Sequence, residues 1–184
     1  MAMSFERPIV LLMAGVLGLA CAHAGAAGGA GVLPVGTPAP TFSAADQAGK
    51  PVVLADLRGQ PVVLYFYPKD DTAGCTKEAQ GFSDNLKKFE RLGVNLVGVS
   101  KDGVASHDRF KAKYKLKLTL ASDAELEAAQ AYGVWGEKTL YGRKYMGMER
   151  ATFLVDSKGV IREIWRKVKV PGHVEAVLAA AKGL

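Results

Sequence analysis

Residues 61–76 read PVVLYFYPKDDTAGCT, an apolar run followed by a polar loop and a cysteine. The run from Pro61 to Tyr67 is rich in β-branched and aromatic residues, a pattern typical of a central strand buried on both faces. Cys75 falls where a helix is predicted to begin. A buried strand that leads through a short loop into a helix is a basic unit of an α/β fold.

The residues after this unit continue the alternation of strands and helices. Between Thr72 and Leu92 the apolar residues Ala79, Phe82, Leu86 and Phe89 recur at helical spacing, which predicts an amphipathic helix. The other predicted elements are strands over Val94–Val99 and Leu118–Leu120, a helix capped by Ser106 that runs to about Tyr114, a helix opened by the capping box Ser122–Glu125 that stops at Gly133, a hairpin of Thr152–Val155 with Val160–Trp165, and a last helix from Pro171.

An additional hairpin precedes this alternation, formed by Thr41–Ala45 and Pro51–Leu54. The order of the elements predicts a thioredoxin-like α/β fold, with a mixed sheet sandwiched by helices and an N-terminal β-hairpin extension. Residues 132–145 are rich in aromatic, glycine and charged residues, and we expect them to form an irregular segment near the functional site, as part of its wall.

Composition excludes several classes of protein. The 184 residues are 49% hydrophobic and 23% charged, as in an ordinary globular chain, so collagen, coiled coil and general disorder are excluded. Two cysteines exclude a disulfide-rich scaffold and a multi-cysteine zinc site. The three histidines lie far apart in sequence, so we expect neither a metal nor another cofactor.

The first cysteine, Cys21, lies in a segment with the layout of a secretory signal peptide. Arg7 precedes the apolar run of residues 9–20, which is too short to span a bilayer, and an Ala-x-Ala site follows at residues 22–24. We expect residues 1–24 to be a signal peptide, 25–36 a flexible linker and 37–184 one domain, exported to the periplasm. Cleavage before Cys21, giving a lipoprotein held at the membrane, is the lesser alternative because Gly18 stands where a lipobox has leucine.

The second cysteine, Cys75, has the position of a reactive one. Backbone amides at a helix N-terminus carry partial positive charge, which favours the thiolate form of a nearby cysteine. The thiolate is the nucleophilic form. A merely buried, inert cysteine is the alternative, but the neighbouring residues Lys69–Thr72 and Gly74 form a polar loop rather than a core strand.

The sequence Pro68-x-x-x-Thr72-x-x-Cys75 resembles the signature of the peroxiredoxins. The chain from about residue 36 to its end resembles the bacterioferritin comigratory protein, or peroxiredoxin Q, subfamily. The stretches that carry this resemblance include Gly36–Pro40, Tyr65–Thr76, Val97–Ser100, Ala105–His107 and Arg150–Asp156. The resemblance implies a thioredoxin-dependent type of thiol peroxidase that reduces hydrogen peroxide and organic hydroperoxides.

The resemblance also implies roles for four residues. Cys75 would attack the peroxide and become a sulfenic acid. Thr72 would hydrogen-bond the sulfur and the peroxide, although its position equally fits a helix cap. Pro68 would shield the thiolate from water. Arg150 would place its guanidinium against the sulfur, whereas the sequence alone favours a surface ion pair with Glu149 or another acid.

The chain departs from many members of this subfamily because it has no second cysteine for the reaction. Gln80 stands where many relatives carry a resolving cysteine, and no cysteine follows Cys75. We therefore expect a one-cysteine enzyme, often a monomer in this subfamily, whose sulfenic acid is reduced by a thioredoxin-, glutaredoxin- or glutathione-like thiol. An uncleaved signal that kept Cys21 within reach of Cys75 is a minor alternative.

Two other functions fit the predicted fold less well. A disulfide oxidoreductase needs Cys-x-x-Cys, and Glu78 stands at the second position of that motif. A copper-binding module would need more soft ligands than the domain contains. Five basic residues within Arg109–Lys117 and the net charge of +6 could suggest nucleic acid, but the predicted export favours a solvated helix end instead.

Overall fold

The computed structural model describes residues 33–140 and 142–184. The predicted signal peptide, Cys21 and most of the predicted linker lie outside these residues. From Gly36 onward the chain is attached to the fold, because the Gly36 amide donates a 2.8 Å hydrogen bond to the carbonyl of Ile161. Within the described ranges no helix combines the length and the apolar character needed to cross a membrane.

The described residues form a mixed seven-stranded sheet and a separate two-stranded hairpin. The strands are β1 (Ser43–Asp46), β2 (Pro51–Val53), β3 (Val62–Phe66), β4 (Asn95–Ser100), β5 (Thr119–Ser122), β6 (Trp135–Leu140), β7 (Arg143–Met148), β8 (Ala151–Val155) and β9 (Ile161–Trp165). The helices are α1 (Ala73–Arg91), α2 (Val104–Tyr114), α3 (Glu127–Ala131) and α4 (His173–Ala181), and a 3-10 turn covers Leu54–Leu57. The large sheet has the order β2-β1-β5-β4-β3-β8-β9, and β6 pairs with β7.

The apolar run at residues 62–66 forms the interior strand β3, as predicted. All five of its residues are buried, because helices and loops cover both faces of the sheet. β3 runs parallel to β4 and antiparallel to β8. Phe66, the last residue of β3, pairs with Ala151, the first residue of β8, so the chain enters β8 at the sheet edge where it leaves β3.

Helix α1 follows β3 and confirms the predicted amphipathic helix. It buries Ala79, Phe82 and Phe89 against the sheet, whereas Leu86 is only partly buried at the margin of the same core cluster. Cys75 lies in the first turn of this helix. The predicted thioredoxin-like arrangement with an N-terminal hairpin, β1 and β2, is therefore present.

Most of the segment 132–145, expected to be irregular, instead belongs to the regular hairpin of β6 and β7. Gly142 has a φ of +76°, a conformation typical of tight hairpin turns. Most residues of β7 are exposed whichever face they occupy, so the sequence carries no alternation of apolar and polar residues. The predicted location beside the functional site is confirmed below.

Two predicted helix starts are wrong, because the capping residues have other partners. Helix α2 begins at Val104, with Gly103 at the N-cap position. Ser106 therefore lies inside the helix, and its hydroxyl donates to Asp70 at 2.8 Å instead of capping it. Ser122 ends strand β5 rather than opening a helix. The carboxylate of Asp123 accepts the backbone amides of Ala128 and Ala129 at 3.1 and 2.7 Å, which places the start of α3 later.

Candidate active site

Cys75 lies at the N-terminal end of α1, below the loop that connects this helix to β3. Its side chain is almost completely buried, with 1% of its surface exposed, and it is a free thiol. Asp71, in the loop, has a φ of +58°, and its carboxylate is fixed by Lys113 and Tyr114 of α2. The loop is therefore held against α2, and the position of Cys75 in the first turn of α1 places it at the end of the helix that carries partial positive charge.

Arg150 contacts the sulfur of Cys75. Its Nη2 donates to Sγ at 3.1 Å, and its Nη1 pairs with the carboxylate of Glu78. Burial acts to lower the pKa of Arg150, but the charges of Glu78 and Cys75 outweigh burial and raise it. The surface pair with Glu149 that the sequence favours is not formed, because Glu149 is engaged by Arg166 at 2.7 Å. The role implied by the resemblance thus matches the observed contact.

Glu78 is a site residue that the sequence reasoning missed. It lies one helical turn after Cys75, its side chain has no exposed surface, and it pairs with the Arg150 nitrogen that does not contact the sulfur. Burial raises the pKa of Glu78 to about 7, although Arg150 acts to lower it. The available signal was a carboxylate within the otherwise apolar face of α1 that contains Cys75, Ala79 and Phe82.

Thr72 and Pro68 lie in the loop next to Cys75. The Thr72 hydroxyl donates to the carbonyl of Lys69 at 3.1 Å, so Thr72 occupies the N-cap position without forming a side-chain cap. In this conformation the hydroxyl has a backbone partner rather than the sulfur, and its contact with the peroxide stays a prediction. Pro68 is partly buried and lines the cavities at the mouth of the site, and its shielding role likewise stays a prediction.

Asp70 anchors the same loop through a buried polar network that the sequence reasoning also missed. Its carboxylate accepts hydrogen bonds from Tyr67 and Ser106, and lies 2.8 Å from Nδ1 of His107. Burial acts to raise the pKa of Asp70, but the hydrogen bond and charge of His107 prevail and lower it. The resemblance had included Ser106 and His107 without a role, and the structure places both on Asp70.

The geometry fits a peroxide-reducing cysteine, and comparison with known proteins gives the same result. The model of the AhpC/TSA family matches residues 35–164. The chain belongs to this family. It is a peroxiredoxin, with the α/β fold and the thiol peroxidase activity of that class.

The relatives of this peroxiredoxin are found in several bacteria. A putative peroxiredoxin Bcp of Coxiella burnetii is 50% identical over 78% of this chain and 95% of its own length. A bacterioferritin comigratory protein of Xanthomonas campestris, studied for alkyl peroxide reduction, is 42% identical, with a TM-score of 0.74 over 77% of this chain and 90% of that one. A peroxiredoxin Q mutant of Xylella fastidiosa is 38% identical, with a TM-score of 0.79 over 83% and 98% of the two chains.

Two cavities that share several lining residues lie beside the candidate active site of this peroxiredoxin. One of about 450 Å³ is lined by Pro68, Arg150 and residues of the β6–β7 hairpin, and one of about 350 Å³ is lined by Pro68, Lys69 and the same hairpin. The hairpin is therefore a wall of the site, as predicted. Within residues 33–140 and 142–184, no group of three His, Cys, Asp or Glu side chains has the spacing of a metal site.

Proposed function

We propose that Cys75 reduces hydrogen peroxide and organic hydroperoxides through a sulfenic acid. The thiolate attacks one peroxide oxygen, the O–O bond breaks, and the other oxygen leaves as water or an alcohol after taking a proton. The sulfur is oxidised to the sulfenic acid and the peroxide is reduced. The observation that carries this proposal is the 3.1 Å contact between Arg150 Nη2 and the sulfur at the start of α1.

Arg150 supports this step in two ways. Its fixed positive charge favours the thiolate before the attack, and its donors can stabilise the negative charge that develops on the leaving oxygen. The ion pair with buried Glu78 keeps the planar guanidinium in one orientation. Such a preorganised donor acts most strongly where water is excluded, as it is around this sulfur.

Reduction of organic hydroperoxides is favoured by the shape and lining of the site. The cavity of about 450 Å³ has apolar lining from Val134, Trp135 and Val168, and Arg150 is also part of its lining. This volume accommodates a small organic molecule rather than only hydrogen peroxide. The Xanthomonas campestris relative, whose structures concern alkyl peroxide reduction, supports the same substrate class.

The enzyme works with one cysteine, and an external thiol reduces its sulfenic acid. Gln80 occupies the position five residues after Cys75, and no other cysteine follows. A thioredoxin-, glutaredoxin- or glutathione-like thiol therefore has to supply the second sulfur. In this proposal the mature protein acts as a monomer.

The proposal includes export to the periplasm, with removal of residues 1–24. It rests on the charged start, the apolar run of residues 9–20 and the Ala-x-Ala site at 22–24. Retention of a lipidated Cys21 is the alternative. The mass of the mature protein from the periplasmic fraction distinguishes the two, since cleavage before Cys21 would leave a heavier, acylated chain.

Peroxide consumption with dithiothreitol tests the central step. We expect the wild-type mature protein to consume hydrogen peroxide and cumene hydroperoxide, and Cys75→Ser to consume both at the background rate. After one equivalent of peroxide, dimedone should label Cys75 in the wild type, which mass spectrometry detects. Equal peroxide consumption by the two proteins would refute the proposal.

A further inference from the structure

The two cavities beside the active site form one groove, which we call the hairpin groove. Both are lined by Pro68, Trp135, Lys138 and Gly147. One wall is therefore the loop that leads to Cys75, and the other is the β6–β7 hairpin. The larger cavity is also lined by Arg150, which itself contacts the sulfur.

The lining of the hairpin groove is rich in cations. Its basic residues are Lys69, Lys101, Lys138, Arg150 and Lys167, and its acidic residues are Asp102, Glu137 and Glu149. Two of the three carboxylates are paired with cations outside the lining, Glu137 with Lys144 and Glu149 with Arg166. The third, that of Asp102, accepts hydrogen bonds from the Asp70 amide and the Ser100 hydroxyl. Arg150 is likewise paired outside the lining, with Glu78, so four lysines stand against Asp102 and positive charge in the groove exceeds negative charge.

Lys138 is the central cation of this groove. It is partly buried, lines both cavities, and donates to the backbone carbonyl of Met148. Among the described residues no carboxylate lies within ion-pair distance, 4 Å, of its Nζ. Burial acts to lower the pKa of Lys138 and the more distant charge of Glu149 acts to raise it, but burial, aided by the charge of Arg150, prevails and lowers it. A partly desolvated cation with no carboxylate in direct contact favours binding of an anionic group beside it.

The groove also offers apolar surface beside this charge. Tyr145 and Met146 are 48% and 55% exposed, and both line the cavity of about 350 Å³ together with Lys138. The Lys101 ammonium lies 5.6 Å from the centre of the Trp135 ring, over the same cavity. A lining of this kind suits a small organic molecule with one anionic end.

We propose that the hairpin groove binds a small thiol that carries a carboxylate, and that Lys138 holds this carboxylate. The inference rests on the one-cysteine function proposed above and names the class of its reductant. The thiolate attacks the sulfenic sulfur of Cys75, an S–S bond forms, and the S–O bond breaks with loss of hydroxide, which takes up a proton to become water. A second thiol then releases the small-molecule disulfide and restores the Cys75 thiolate.

Burial of the sulfur favours a small thiol over the thiol of a folded protein. Only 1% of Cys75 is exposed, so a cysteine on another protein could reach it only after rearrangement of the loop or of α1. A small thiol fits the cavity of about 450 Å³, whose lining includes Arg150, the residue that contacts the sulfur. The charge of the groove then selects an anionic thiol from among small ones.

The test measures the reductive step alone. Wild type, Lys138→Gln and Lys87→Gln are oxidised with one equivalent of hydrogen peroxide and mixed with 3-mercaptopropionate or its methyl ester, and rates are normalised to thiolate concentration. Lys87 is an exposed residue of α1 that lies outside the groove, so its variant controls for net charge. The ratio of the rate with the acid to the rate with the ester should be about 5 in the wild type and in Lys87→Gln, and close to 1 in Lys138→Gln. A factor of about 5 is the effect expected of roughly one charge pair at a partly exposed site.

Three results would overturn this inference. They are a wild-type ratio near 1, an equal fall of the ratio in both variants, and a charge preference that appears only in the oxidative step. The last is measured with a fatty-acid hydroperoxide and its methyl ester, and would assign the groove to the carboxylate of the peroxide. If the wild type forms no sulfenic acid at all, the proposed peroxidase function fails instead, so the two failures are distinguishable. Added salt should reduce the wild-type ratio.

Discussion

The substitution Glu78→Gln tests the electrostatic description of the active site. Glu78 has no exposed surface and pairs with Arg150, which also contacts Cys75. Glutamine keeps the shape of the side chain and one acceptor oxygen for the guanidinium, but it does not titrate. The variant therefore removes the charge of residue 78 while the packing of α1 against the sheet is retained.

The magnitude follows from the raised pKa of Glu78. Burial raises this pKa from 4.5 to about 7 in the folded protein. Because a shift of one unit corresponds to about 1.4 kcal/mol, the protonated carboxyl contributes about 3 kcal/mol of stability relative to the ionised one. That contribution is fully present below pH 4.5, declines as the pH rises, and is lost above pH 7. Between pH 4.5 and 7 the unfolding free energy of the wild type should therefore fall by about 3 kcal/mol relative to that of Glu78→Gln.

Urea denaturation of both proteins at half-unit steps from about pH 4.5 to 8 measures this difference. As the pH rises, the unfolding free energy of the variant relative to that of the wild type should increase mainly below pH 7. Above pH 7 the difference should stay constant. Glu90→Gln, an exposed position on the same helix, should follow the wild type at every pH. Parallel curves for the wild type and Glu78→Gln would refute the reasoning, because Glu78 would then not titrate between these limits.

Two further substitutions probe the contacts around the sulfur. Arg150→Lys should slow sulfenic acid formation about 100-fold in stopped-flow measurements, because lysine has a single nitrogen where arginine uses two, one for Cys75 and one for Glu78; a fall of less than threefold would contradict this role. Asp70→Asn should cost about 2 kcal/mol of unfolding free energy at pH 7, since the charge that holds His107 is lost. Because His107 lowers the pKa of Asp70 despite burial, that cost should shrink as the pH falls through this pKa, and a cost that is constant with pH would contradict the ion pair.

The position of Cys75 at the start of a helix could be predicted because its signals are local. Cys75 follows a buried strand and a polar loop and begins an amphipathic helix, and each of these patterns lies within the residues concerned. Arg150 could not be placed by the same reasoning. Its neighbour in sequence, Glu149, is an equally good partner until the fold assigns that carboxylate to Arg166.

The wrong predictions have a common physical cause. Ser106 has the side chain of a helix cap, but its hydroxyl is taken by Asp70, which is 36 residues away in sequence. The β6–β7 hairpin shows no alternation because most of β7 is solvated on both faces. In both places tertiary contacts, or their absence, override the local preference of the residues.

The sequence by itself determined the α/β fold, the position of Cys75 at a helix start and the absence of any cysteine after it in the printed sequence. These are properties of local periodicity and of residue identity. Only the tertiary structure decided the environment of the sulfur, namely the Arg150–Glu78 pair, the Asp70 network and the cationic hairpin groove. The reason is that the pairing of β3 with β8 brings residues about 75 positions apart to one sheet edge, and no local pattern specifies which side chains meet there.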